Sequence, residues 1–540
     1  MTRPTLLPCR LLISSALVGA ALVGVPGLVR GQAPAFPRVS PKAIQSYIRF
    51  LADDALEGRG VGTRGGWVAA EFIAAQFRRM GLEPAGDSGT YFQAVELLGR
   101  TPAPTLSVSG AALRYPDDYV VAPVSDDTLT RVAGDLVFAG YGIVSAAKQW
   151  DDYKDADVRG KIVVVLPGDP DSTLFDRLTG RPWNAVREKA DLAARRGAVA
   201  VLVVQSEHRG GPPWEAVLAL THERISLAAP APSVSFWGWL SDSSATAIFA
   251  RGGNDLARLR AAAASRDFRP VSLGLRLDAE VHTQVRRIPT ANVVARLPGH
   301  GPRAAEAIVV GAHYDHLGIG EPVNGDSIYN GAFDNASGVA AMLAAAEAVA
   351  ESGVHPARTM IFTAFTAEEL GLQGSEWLVR HPPLGLRLVG AFAMDVLNLY
   401  GKTRDIGTVG VKQSSLGDLV RKASRTEGMV INEDPDDLHR GRFFRSDNYA
   451  FARENIPALR IVNGVTFVGR PPEWGREQRE KFWNERYHKP NDELESWMSM
   501  DGIVQQTRVL ARAALAAAQA TSAPTWVPTS DFYSVNHTSR

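Results

Sequence analysis

Apolar strands alternating with Ala-rich helices after residue 290 predict an α/β fold, with a mostly parallel central sheet flanked by helices. The runs 308–312, 359–365 and 389–394 are continuously apolar, as expected of strands buried on both faces. A strongly helical stretch, 335–350, ends at Gly353 between the first two runs, and such alternation implies parallel strands covered on both faces. A third observation is a change of texture over about 132–277 to short strands, many turns and one obvious helix, which predicts a separate β-rich module.

In chain order, Arg3 and Arg10 precede an apolar stretch over 11–28, and small residues follow near Gly31 and Ala33. That is the layout of a secretory leader, and Pro26 with the glycines weighs against a retained membrane anchor. Ile44, Tyr47, Ile48, Leu51 and Ala55 recur at helical spacing. A second amphipathic helix is expected over 67–80, with Val68, Phe72, Ile73 and Phe77 inward and a stop at Gly81. Between them, residues 60–65 match the dinucleotide fingerprint G-x-G-x-x-G. A helix precedes them rather than the strand that the fingerprint needs, so they are expected to form a flexible connector. In the module, 135–139 and 161–166 are β-rich, and a helix over 186–196 leads through Gly197 into the apolar run 198–204. The parallel regime opens with a strand at 291–297. A late helix over 501–518 is followed by a Pro- and Ser-containing tail that is expected to be loose.

Lys+Arg and Asp+Glu both number 58, and no basic run stands out, which argues against nucleic acid as a partner. The single cysteine, Cys9, lies in the leader. A mature chain could then hold metal only through His, Asp and Glu. No later stretch is long and apolar enough for a membrane helix, so no stable membrane insertion is expected once the leader is cleaved.

Ligands of parallel sheets bind beyond the carboxyl ends of the strands. Three successive strands here end in potential metal ligands. The first runs into His313-Tyr314-Asp315, the second into Glu368-Glu369 and the third into Asp395, while Asp334 opens the helix between the first two. One such residue is unremarkable, since caps and solvated loops use the same types. Three in succession on one sheet edge point to a metal site, for which an all-His/carboxylate set suits zinc, with manganese or cobalt allowed. Of the adjacent glutamates, one could coordinate and its neighbour take a proton from water, although both also suit a helix N-terminus.

His313-Tyr314-Asp315, the run from Asp334 to Gly338, the run from Glu368 to Ser375, Ser446-Asp447 and Tyr487-His488 occur together and in order. This chain thereby resembles the co-catalytic zinc aminopeptidase family, which includes bacterial leucyl aminopeptidases, aminopeptidase Y and glutamate carboxypeptidases. The β-rich module resembles the protease-associated domain that many members carry as an insert, with 138–143 and 158–163 as its signatures. The resemblance implies two Zn2+ per chain. His313 and Asp395 would hold one ion, Glu369 and His488 the other, and Asp334 would bridge both. It further implies Glu368 as general base and Asp315 as acceptor of a hydrogen bond from the His313 ring. Tyr487 would polarise the scissile carbonyl. The implied layout is a leader at 1–33, the peptidase domain at 38–115 and 286–520, the insert at 116–285 and a flexible tail at 521–540.

The implied activity is removal of N-terminal residues from peptides by an exported enzyme, periplasmic or extracellular, acting on substrates with a free N-terminus. A carboxypeptidase or dipeptidase of the same family is an alternative. So is a receptor-like binding module that has lost catalysis, although all five ligands and Glu368 are present here. Glutaminyl cyclases share the fold, but use one zinc and lack the insert. His316 is expected to line the pocket at best, and His355, His381 and His439 to lie on the surface. Glu376 should face solvent or cap a neighbour. Arg440, Arg442 and Arg445 are either a solvated loop or a carboxylate-binding patch.

Overall fold

Three strands run parallel through the centre of the structure, a computed structural model that describes residues 38–145, 148–171, 175, 185–206, 211–228, 233–433, 441–530 and 532–533. Glu306–His313 lies between Thr359–Phe365 and Arg387–Met394 and is parallel to both. Ala458–Val462 continues the sheet in parallel beyond Arg387–Met394, and Asp405–Val409 then pairs with it antiparallel. The central strands are almost wholly buried because helices cover the sheet. Gly338–Glu351 is one of them, and it packs against both Pro41–Leu51 and Asp501–Gln519. The residues expected at 1–33, with His439 and Arg440, lie outside the described residues. Among the described residues, no helix is long and apolar enough to cross a membrane.

The strand expected at 291–297 is the last part of a 27-residue strand, Val271–Leu297. Its final residues pair with Thr359–Phe365 in the central sheet, and its first part pairs with Leu129–Phe138 in the inserted module. Phe92–Val108 runs antiparallel to it from Phe92↔Val293 to Val108↔Leu277. The insert is therefore entered and left through one two-stranded ribbon. Arg286, Arg287 and Pro289 interrupt the apolar pattern and conceal this continuity in the sequence.

Within the module, Leu129–Phe138, Ile162–Val165, Ala200–Val204 and Phe236–Leu240 are parallel neighbours. Alternate residues pack on opposite faces: Leu136 and Val164 with Phe249 on one, Val137 and Val163 with Ala193 on the other. Besides the expected helix, Val186–Arg195, the module carries the short helices Asp242–Arg251 and Leu256–Ala263.

Three further expectations change. Arg64 already begins the second helix, with the Thr63 hydroxyl capping Gly66 N–H at 3.2 Å, so the glycine stretch is in part a helix start. Ile73 and Phe77 face inward, but Val68 is 38% exposed. The tail is docked as far as residue 533: Trp526 and Phe532 are buried, and Thr525 O accepts Ser415 N–H at 2.9 Å.

Candidate metal centre

The parallel register brings the three strand ends to one edge. His313 is the last residue of its strand and pairs with Phe365. Asp395 directly follows Met394, and Glu368-Glu369 follow Phe365 after two residues. Ala367, Val396 and His488 adopt left-handed φ values of 56°, 55° and 56°. Such values are costly for side chains with a Cβ, above all for β-branched Val396. Each corner turns the chain sharply and aims a site residue inward.

Asp334 sits in a turn, Ala332–Ser337, that precedes the helix rather than belonging to it. Gly331 at φ 60° permits the turn, since a Cβ there would lie 1.9 Å from Asp334 O. Asn335 ties the turn to the neighbouring strand, donating to Met394 O at 3.0 Å and accepting from Gly338 N–H at 3.0 Å.

Asp334 faces a histidine on each side. His313 Nε2 is 3.4 Å from Asp334 Oδ1 and 3.6 Å from Asp395 Oδ1. His488 Nε2 is 3.4 Å from Asp334 Oδ2 and 3.1 Å from Glu369 Oε2. Most of these separations are long for hydrogen bonds. They match the roughly 3.3–3.4 Å edge of a tetrahedron built on metal–ligand bonds of about 2.0–2.1 Å. His313 Nδ1 lies 3.2 Å from the main-chain carbonyl of Asp315. A proton held there leaves Nε2 with a lone pair facing carboxylates, which is the arrangement a bound cation resolves. His488 Nε2 is likewise buried without a hydrogen-bond partner. The donor set fits divalent metal.

The electrostatics agree. Asp315, Asp334, Glu368, Glu369, Asp395, Asp447 and Asp492 are gathered in or beside the site, and all but Glu369 are buried. Burial raises the Glu368 carboxyl well above its usual range, with Glu369 and Asp395 adding to the shift. Burial also lifts Asp315 and Asp492 to about 6 and Asp447 to about 7. Burial opposes charge on His313 and His488, yet their carboxylate neighbours hold His313 well above its ordinary value and His488 at about 10. Burial works against Asp334 too, but the His313 and His488 rings that face its two oxygens keep it well below the carboxylate range. The cluster demands positive charge at its centre.

The residues expected at the site lie together there, and Asp315 contacts its neighbours differently from the hydrogen bond expected of it. The Asp315 carboxylate is 3.8 Å from the His313 ring and instead accepts the N–H groups of Glu368 and Glu369 at 3.1 and 3.3 Å. Its main-chain carbonyl is the group that meets the ring. Tyr487 stacks on His488 with ring centroids 3.8 Å apart and lines a cavity of about 180 Å3 with Asp334, Glu368, Glu369 and Asp395. Arg442, Arg445 and Arg460 stand on the same wall. Arg460 Nη2 holds Asp395 Oδ2 at 3.1 Å.

His316 is more than pocket lining. It is buried, its Nδ1 lies 2.8 Å from Glu369 Oε1, and its donor atoms group with those of Asp334 and Glu369 within 4.8 Å. His355 and His381 are exposed, as expected. Glu376 is not: it is buried, bonded to Arg187 of the module and to Arg380 and Arg453 of the body.

Arg460 escaped the sequence reading, and so did two residues behind the site. Asp492 accepts Phe333 N–H and Asp334 N–H, and its position four residues after His488 was the available signal. Arg59 is 1% exposed and donates to the carbonyls of Tyr314, Leu51, Asn330 and Gly331. An arginine set between two glycines was its signal.

Residues 292–514 match the family model described as Peptidase family M28, and residues 132–228 match that of the PA domain. Leupeptin-inactivating enzyme 1 of Streptomyces exfoliatus is 36% identical over 92 residues, which span 17% of this chain and only 18% of that relative. An aminopeptidase from Aneurinibacillus sp. strain AM-1 has a similar structure, with a TM-score of 0.44 and 19% identity over 89% of this chain and 94% of its own. BSAP, a zinc aminopeptidase from Bacillus subtilis, gives a TM-score of 0.42 and 20% identity over 89% of this chain and 95% of its own. Similarity at this level transfers no residue roles, so the site stands on its own geometry. The first family match spans the strand ends and His488, and the second falls within the module carried on the ribbon. Residues 292–514 thus belong to peptidase family M28, and the inserted module carries a PA domain at 132–228.

Proposed function

We propose that the chain is a metal-dependent exopeptidase that removes N-terminal residues from peptides. The observation that carries this is one buried carboxylate, Asp334, with a histidine Nε2 3.4 Å from each of its oxygens. His313 and Asp395 would hold one zinc, Glu369 and His488 the other, and Asp334 both. When bound, such a pair supplies a water of lowered pKa and a polarised carbonyl.

The chain's own groups do the rest. Glu368 lies on the cavity wall with Oε2 4.0 Å from His313 Nε2. It takes a proton from the attacking water and returns it to the leaving amine. Asp315 aims Glu368 and Glu369 through their N–H groups. The carboxylate wall receives the substrate's free α-amine, and Tyr487 is positioned to polarise the scissile carbonyl. Export, to the periplasm or beyond, rests on the leader-like residues 1–33.

Arg442, Arg445 and Arg460 in the same cavity favour a second reading, a carboxypeptidase or dipeptidase that grips a substrate carboxylate. Hydrolysis of leucyl- and glutamyl-arylamides is to be compared with that of N-blocked dipeptides, alongside zinc analysis. Arylamide cleavage supports the aminopeptidase, and cleavage of N-blocked substrates alone moves the assignment to the second reading. Two bound zincs with no hydrolysis leave a binding module.

A further inference from the structure

A second cavity, of about 130 Å3, lies where the inserted module meets the catalytic body. The module contributes Arg187, Arg224, Ser226 and Trp237 to its wall, the ribbon Arg100 and the body Gln373. It shares no lining residue with the carboxylate site.

Its charge balance is one-sided. Among the described lining residues, Asp191 is the only acid, and it is paired with Arg453 at 2.7 Å. Arg187 is committed to Glu376. Arg100 is 1% exposed, and its Nε and Nη1 donate to Ser125 O at 2.7 Å and Ser226 Oγ at 3.0 Å. Its Nη2 is buried without a partner. A buried guanidinium with an unmet donor and no bonded carboxylate is costly unless a ligand completes it. The Arg224 guanidinium lies 5.1 Å from the centroid of the Trp237 ring, a cation–π contact that in itself uses none of its N–H donors.

We propose that this junction cavity binds a small oxyanion group, phosphate or carboxylate, between Arg100 and Arg224, with the Ser226 hydroxyl beside it. Two guanidiniums without bonded carboxylates match an anion of roughly two charges, such as phosphate near neutral pH or a short dicarboxylate. The volume far exceeds the roughly 10–15 Å3 that one water requires. The site is linked to the catalytic turn. Gln373 accepts Leu227 N–H at 2.8 Å and donates to Leu370 O and Gly371 O at 3.1 and 2.9 Å, immediately after Glu368-Glu369. An anion here ties the module to the body, whatever reaction the carboxylate site performs.

Isothermal titration of the full chain with inorganic phosphate and, separately, with succinate tests this, using wild type and Arg224→Met. Arg224 is exposed, so its variant is expected to fold, which a thermal melt verifies. Saturable binding is expected, weakened about tenfold or more by Arg224→Met, together with a ligand-induced rise in Tm that the variant loses. Tighter binding of phosphate assigns phosphate as the ligand, and tighter binding of succinate assigns a carboxylate. Binding that Arg224→Met leaves unchanged belongs to the metal centre and overturns the assignment, as does no saturable binding up to about 10 mM.

Discussion

The carboxylate of Asp492 accepts the main-chain N–H groups of Phe333 and Asp334 at 3.1 and 3.0 Å, so a residue beyond His488 positions the central carboxylate of the site. Asp492→Asn keeps the shape but turns an NH2 toward one of those N–H groups. Zinc affinity is expected to fall about 10–100-fold, as when other partners of metal ligands are lost. Zinc retention against a graded series of chelators measures this; retention equal to wild type would mean the turn holds without Asp492.

Glu368→Gln removes the proposed base while leaving His313, Asp334, Asp395, Glu369 and His488 untouched. Turnover is expected to fall about 10²–10⁴-fold with zinc content unchanged. Activity within a few-fold of wild type excludes Glu368 from proton transfer.

Chelation should destabilise the protein as well as silence it, because the buried carboxylates then face one another without a compensating cation. Tm is expected to drop by on the order of 5 °C or more and to recover when zinc is restored. Identical melting curves with and without chelator sink the metal assignment.

Glu376 is shared by Arg187, Arg380 and Arg453 across the junction between module and body. Glu376→Ala leaves three guanidiniums around a vacated site. A loss of about 2–3 kcal/mol is expected, less than for a wholly buried pair because Arg187 is 40% exposed and screened. Faster hydrogen exchange over Val186–Arg195 should accompany it, and unchanged exchange there would show that other contacts hold the junction.

Arg59 satisfies its fork with main-chain carbonyls from three separate segments around the metal centre. Lysine offers a point charge and at most three donors, without the planar reach. Arg59→Lys should cost about 3–5 kcal/mol in urea unfolding and lower zinc occupancy in the folded remainder. A variant of wild-type stability and zinc content would reduce Arg59 to a filler.

The sequence by itself determined the strands, since continuous apolar runs such as 359–365 have no stable place except inside a covered sheet. It also determined that His313, Glu368-Glu369 and Asp395 share an edge, because parallel strands end on the same side. The start of the intervening helix singled out Asp334, and ordered motifs pointed to Tyr487 and His488 as further candidates. Only the tertiary structure decided which atoms meet: that Asp315 turns its carbonyl to His313 and its carboxylate to the glutamates, and that His316 reaches Glu369. The same holds for Arg59, whose carbonyl partners at Tyr314, Asn330 and Gly331 lie more than 250 positions along the chain. Glu376 likewise looks like a solvent-facing helical residue until the module's Arg187 is packed against it. Periodicity and spacing report which face of an element is buried. The hydrogen bonds that buried polar groups require depend on segments distant in sequence, and those are set only when the sheets and helices pack.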